Sequence, residues 1–169
     1  MNTRKYLIKN SLVACLLGCC VSLASAGNPP FFTTDAVLNA KGELLMTQKG
    51  TRHLDIFSAD GKSLLHSFPF DEIPTGLLPD GDKVYVTTFE KTGRLQVLSL
   101  ESGRVEAAIP TGSGACHPMF GPDKKHIYVC NQFDNSVVEI DPVMRKVVRS
   151  VKVLREPKSA VFSKDGKYM

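Results

Sequence analysis

Tryptophan is absent from this 169-residue chain, and aromatic residues of any kind make up only 8% of it. A core built from this sequence must therefore be mostly aliphatic. Long apolar runs are also missing. The stretch from Leu12 to Leu23 is too short for a membrane-spanning helix, which needs about 20 apolar residues, and no later segment comes close. The chain lacks a G-x-S-x-G elbow, a phosphate-binding glycine loop, an H-E-x-x-H helix and a C-x-x-C-H haem-attachment motif. No cofactor is evident from its motifs. Paired ligands at the short spacing of a zinc site are lacking as well, because His53, His66, His117 and His126 are scattered along the chain. No metal site is expected.

Charge of one sign is scarce once the first residues are set aside. The chain holds 21 basic and 17 acidic residues; residues 1–26 carry three of the bases and no acid, which leaves 18 against 17. That near-neutral balance gives no electrostatic case for nucleic acid as a partner. The basic group Arg145, Lys146, Arg149, Lys152 and Arg155 reads as a solvated edge strand whose charges discourage sheet-to-sheet pairing.

What the first 26 residues do contain is the layout of an export signal. Arg4, Lys5 and Lys9 precede the apolar stretch, and Ala24-Ser25-Ala26 offers a small-x-small cleavage site. A second layout competes with it. Leu16-Leu17-Gly18-Cys19 resembles a lipobox, in which Cys19 would be lipidated and anchor the protein to a membrane. In either case a periplasmic, secreted or lipid-anchored protein is expected, with no transmembrane segment after the signal. Of the five cysteines, Cys15, Cys19 and Cys20 lie in this leader and only Cys116 and Cys130 beyond it.

Residues 27–169 repeat themselves. Val84-Tyr85-Val86-Thr87-Thr88 aligns with Ile127-Tyr128-Val129-Cys130-Asn131, and the two tyrosines stand 43 positions apart. Pro79-Asp80 matches Pro122-Asp123 at the same step, and Asp165-Gly166 returns 42 positions after Asp123. Upstream, Phe57 lies 41 positions before Leu98. Each unit contains four short β-rich runs between Gly, Asp, Asn or Pro turn signals. In the third they are Pro118–Gly121, His126–Asn131, Ser136–Ile140 and Lys146–Val151. Val143, Val147, Val148, Val151 and Leu154 also sit at helical spacing. Strand is preferred there, because β-branched side chains lose rotamer freedom in helices.

An all-β fold follows, and a period of about 40–45 residues with four strands is the size of one β-propeller blade. The units expected are 36–69, 74–110 and 115–153, with the start of another at 157–169, so about three and a half blades after a signal peptide at 1–26. At Tyr85-Val86-Thr87-Thr88 and Tyr128-Val129-Cys130-Asn131 the sequence resembles the tetrad of the YVTN-type propeller repeats. The resemblance extends from about residue 36 to 169. It implies a closed disc of roughly seven blades, of which this sequence would be an N-terminal part.

Candidate chemistry is sparse. If Phe120 pairs with His126 across the hairpin at Pro122-Asp123, the same register sets Cys116 opposite Cys130, close enough for a disulfide; two buried thiols are the other reading. His117, just before Pro118 at the start of an innermost strand, would face the central channel that the propeller resemblance implies. It is the candidate ligand-binding residue, with structural packing as the other reading. The catalytic residues, if any exist, are unknown.

Three functions are compatible with these readings. One is an exported binding or interaction scaffold, holding a small ligand or a protein at the propeller face. The resemblance also extends to lactonase-like hydrolases with seven-bladed propellers, and to the haem-associated propellers of cytochrome-type nitrite reductases. Fold analogy alone does not choose among them.

Overall fold

The structure, a computed structural model, describes residues 32–89 and 92–169. The leader and Cys19 lie outside the described residues. Twelve strands follow one another: β1 Thr33–Leu38, β2 Leu44–Gln48, β3 His53–Phe57, β4 Leu64–Pro69, β5 Pro74–Asp80, β6 Lys83–Thr88, β7 Gly93–Ser99, β8 Val105–Gly112, β9 Ala115–Phe120, β10 Ile127–Asn131, β11 Ser136–Asp141 and β12 Lys146–Lys152. They form three four-stranded antiparallel meanders in chain order, β1–β4, β5–β8 and β9–β12.

The turns that close these meanders need positive φ where the chain reverses tightly. Gly81 supplies it at 60° between β5 and β6, whereas Asn135 takes 50° between β10 and β11. Asparagine is one of the few side chains that tolerates this region.

Side-chain sequence explains how the sheets stack. The middle strands β2 and β6 read as almost unbroken apolar or small runs, Leu-Leu-Met-Thr-Gln and Lys-Val-Tyr-Val-Thr-Thr, and all but Lys83 are buried. A strand covered on both faces has no reason to alternate. The outermost strands β4 and β12 are largely exposed: β4 leaves Leu64 and Leu65 to solvent, and β12 carries the basic Lys146, Arg149 and Lys152. Residues 146–152 are thus strand, as the valines indicate.

Two apolar layers lie between the sheets. Leu45, Leu54 and Ile56 of the first sheet meet Leu77, Val84, Val86 and Leu98 of the second. Tyr85, Leu95, Val97 and Ile109 of the second meet Ala115, Ile127, Val129, Val138 and Ile140 of the third. Each fully buried aliphatic side chain contributes about 1.5–3 kcal/mol relative to exposure. An aromatic rung links neighbours at the same level. Tyr85 packs edge-on against Phe120 at 6.2 Å, and Tyr128 against Phe162 at 4.9 Å.

One expectation about register is corrected. Phe120 pairs with Ile127, not with His126, and Met119 pairs with Tyr128. A bulge in β9 between Met119 and Cys116 then takes up one residue, so that Cys116 still faces Cys130. The extra residue fits because His117 adopts φ 49°, a left-handed conformation uncommon outside glycine that histidine enters more readily than most side chains. Residues 157–169 belong to none of the three sheets.

Candidate functional site

The first strands of the three sheets, β1, β5 and β9, lie side by side, each bulged near its start. The bulge re-aims side chains that strict alternation would send into the apolar layers. On β1 the additional residue is Thr34, on β5 it is Thr75, and on β9 the irregularity spans His117 and Pro118.

A polar chain runs along these strands from one sheet to the next. Thr34 Oγ1 donates to the Pro74 carbonyl at 2.8 Å and lies 2.7 Å from Thr47 Oγ1 on β2. One period later, Thr75 Oγ1 donates to the Ala115 carbonyl at 2.8 Å and lies 3.1 Å from Thr87 Oγ1 on β6. Cys116 continues the series. Its Sγ lies 3.8 Å from the Pro157 carbonyl and 3.6 Å from that of Lys158. Asp35 adds a second tie between the first two sheets, since its Oδ2 accepts from the Leu77 N–H at 2.8 Å.

These residues border an open cavity of about 260 Å³, lined by Thr34, Asp35, Thr75, Cys116, His117, Gln132 and Lys158. His117 is exposed there, at the mouth of its own bulge. Gly76 lets the bulge come close, because a β-carbon on it would stand 2.6 Å from Pro118 Cδ and 2.8 Å from the His117 nitrogen. The cavity thus collects hydroxyls, a carboxylate and an imidazole from the three sheets, an amide from the turn after β10 and an ammonium from the segment after β12.

Cys116 and Cys130 are both free thiols. Burial pushes the Cys116 thiol up to about 11, and burial raises that of Cys130 as well. Both are therefore protonated at neutral pH. His53, His66 and His126 do not join His117. His126 sits at the far end of β10, its Nδ1 2.5 Å from Asp123 Oδ2, with Glu139 Oε1 at 3.8 Å. His66 stacks on Phe68, and His53 bonds to the Thr51 carbonyl. Among the described residues, no group of three or more His, Cys, Asp and Glu is placed to hold a metal ion. Among them, too, no helix is long and apolar enough to cross a membrane.

Sequence reasoning missed Lys158, Asp35 and the Thr34/Thr75/Cys116 series. A signal for the last was present, since those residues keep a constant step of 41 positions.

The fold has well-matched counterparts. Hydrazine synthase of Kuenenia stuttgartiensis superposes with a TM-score of 0.73 at 19% identity, over 85% of this chain and 42% of that one. A computationally designed protein, Ika8, superposes at 0.64 with 12% identity, over 78% of this chain and 40% of its own. The sheets are β-propeller blades. At these identities the likeness is one of fold alone, and it makes the polar wall on β1, β5 and β9 the axis-facing side of the blades. Antigen Lp49 of Leptospira interrogans serogroup Icterohaemorrhagiae serovar copenhageni (strain Fiocruz L1-130) is 29% identical over 125 residues. That alignment takes in 68% of this chain and 27% of Lp49, so the chain spans about a quarter of the length of this curated relative. No family profile matches the chain.

Proposed function

We propose that the chain acts outside the cytoplasm as a propeller-type binding scaffold, with a small polar ligand held in the axis-facing cavity by His117 and Lys158. One observation carries this reading: polar side chains from successive blades converge on a single cavity of about 260 Å³. That volume lies just under the about 300–1,000 Å³ of drug-sized sites and suits a compact, hydrogen-bonding molecule. The blades supply rigidity, and the threonine hydroxyls are already committed to inter-blade bonds. His117 and Lys158 are then the groups best able to contact a ligand. Export is supported by the layout of residues 1–26, and similarity to a protein named as an antigen accords with it.

The test is a thermal-shift screen of the full chain against monosaccharides, sugar acids and dicarboxylates, with hits measured by calorimetry. Affinity for a hit should fall about tenfold or more in His117→Ala and in Lys158→Ala, the loss expected when a polar contact worth about 1.5 kcal/mol disappears. Unchanged affinity in both variants, or no shift with any probe, would refute the assignment.

A further inference from the structure

Thr34, Thr75 and Cys116 occupy one equivalent place on β1, β5 and β9, and Thr47, Thr87 and Cys130 face them from β2, β6 and β10. Two blades therefore hold a hydroxyl–hydroxyl pair where the third holds a thiol–thiol pair. Both members differ together, and only the thiol pair can be oxidised to a covalent link. We propose that Cys116 and Cys130 form a redox site at the propeller axis, where a disulfide-bearing reagent converts the two thiols into one cross-strand disulfide and unfastens the chain at Pro157 and Lys158. This stands independently of what the cavity binds.

Geometry supports the link itself. The two cysteines are direct partners across an antiparallel pair, where Cα atoms stand about 4.5–5.5 Å apart, within the about 4.4–6.8 Å that a disulfide spans. Position sets the order of events. Cys116 lines the axis cavity, whereas Cys130 is fully buried behind it. Cys116 Sγ gives up its proton and attacks the reagent R–S–S–R, forming a mixed disulfide and releasing one thiolate. Cys130 Sγ then loses its proton and attacks the Cys116 sulfur, expelling the second thiolate. Two cysteine thiols are oxidised, one external disulfide is reduced, and the two protons end on the released thiols.

The consequence follows from what Cys116 does when reduced. Its thiol is the donor placed 3.8 Å from the Pro157 carbonyl and 3.6 Å from the Lys158 carbonyl, in the role that Thr75 plays toward Ala115. A disulfide sulfur has no proton to give, so these carbonyls lose that donor. Lys158 is also a wall residue of the cavity, so oxidation reaches the candidate binding site directly. High thiol pKa values make the native exchange slow, which keeps the reduced form in place until a reagent is supplied.

The experiment exposes the full chain to oxidised glutathione at mildly alkaline pH. The masses of the peptides that hold Cys116 and Cys130 and the hydrogen exchange of residues 154–163 are then followed. We expect these peptides to be linked with a mass loss of about 2 Da, reversed by reductant, with exchange in 154–163 accelerated about tenfold. Cys130→Ser should stop at a glutathione adduct on Cys116. The double variant Cys116→Thr/Cys130→Thr, which restores the hydroxyl pair of the other blades, should exchange slowly with or without oxidant. The proposal fails if both thiols remain alkylatable after oxidation and unfolding. It also fails if the disulfide forms without altering 154–163, or if the double variant responds to oxidant equally.

Discussion

Gly76 on β5 lies against the backbone of His117 on β9: a β-carbon there would stand 2.8 Å from the His117 nitrogen and 2.6 Å from Pro118 Cδ. The contact couples two neighbouring blades at the axis and presents the imidazole to the cavity. Neither partner is a flexible side-chain tip that could move aside. Gly76→Ala should therefore destabilise the protein by about 1–3 kcal/mol, the usual cost of overpacking. Urea unfolding would measure it, and a shift of the His117 ring resonances would show the bulge displaced. Wild-type stability in this variant would mean the blades do not approach as closely as described.

The inter-blade hydroxyls give a second prediction. Thr75 Oγ1 donates to the Ala115 carbonyl, and Ala115 is fully buried. Thr75→Val keeps the shape, removes the donor and leaves that carbonyl short of a partner, at a cost of about 1–3 kcal/mol. Thr75→Ser should retain most of the stability. Thermal denaturation of the two variants side by side separates lost hydrogen bonding from lost packing.

The apolar layers should answer to truncation. Leu54 and Leu95 are fully buried, one in each layer. Leu54→Ala and Leu95→Ala are each expected to cost about 2–5 kcal/mol, with the spread set by how far each layer collapses. Truncating the exposed Val143 should change stability by less than about 0.5 kcal/mol. Equal effects at all three positions would contradict the layering.

Asp123 and His126 predict a pH window. Lys125 N–H, then the His126 side chain, hold the Asp123 carboxyl down to about 2, and the bond from Asp123 raises the His126 pKa above its ordinary value. The depressed Asp123 stabilises the fold above its unfolded value of 3.8 and loses that effect as pH falls toward about 2. The raised His126 contributes fully below 6.5 and loses its share as pH rises through the higher folded value. The pair is therefore strongest between 3.8 and 6.5. Proton NMR titration should show the His126 midpoint falling in Asp123→Asn; an identical midpoint would rule the coupling out.

Much of this architecture could be read from residue spacing. The 43-residue step between Tyr85 and Tyr128 and the 41-residue step between Phe57 and Leu98 are the steps of the sheets themselves. Valine-rich 146–152 declared itself a strand, because β-branched residues favour a pleated surface. The bulge was not legible. A histidine at φ 49° gives no sequence warning, so the register at Phe120 was displaced by one residue. Lys158 was not legible either, since 157–162 joins no sheet and has no period-two pattern to locate it. The hydroxyl and thiol series was visible only as a constant step, whose meaning depends on which strands adjoin.

The central claim is that β1, β5 and β9 stand side by side and turn one polar wall toward a common axis. A high-resolution crystal structure of the full chain tests it most directly. It should show Thr34 Oγ1 bonded to the Pro74 carbonyl, Thr75 Oγ1 to the Ala115 carbonyl, and His117 beside Lys158 at the same cavity. First strands separated from one another, or His117 and Lys158 on opposite faces of the molecule, would contradict the account.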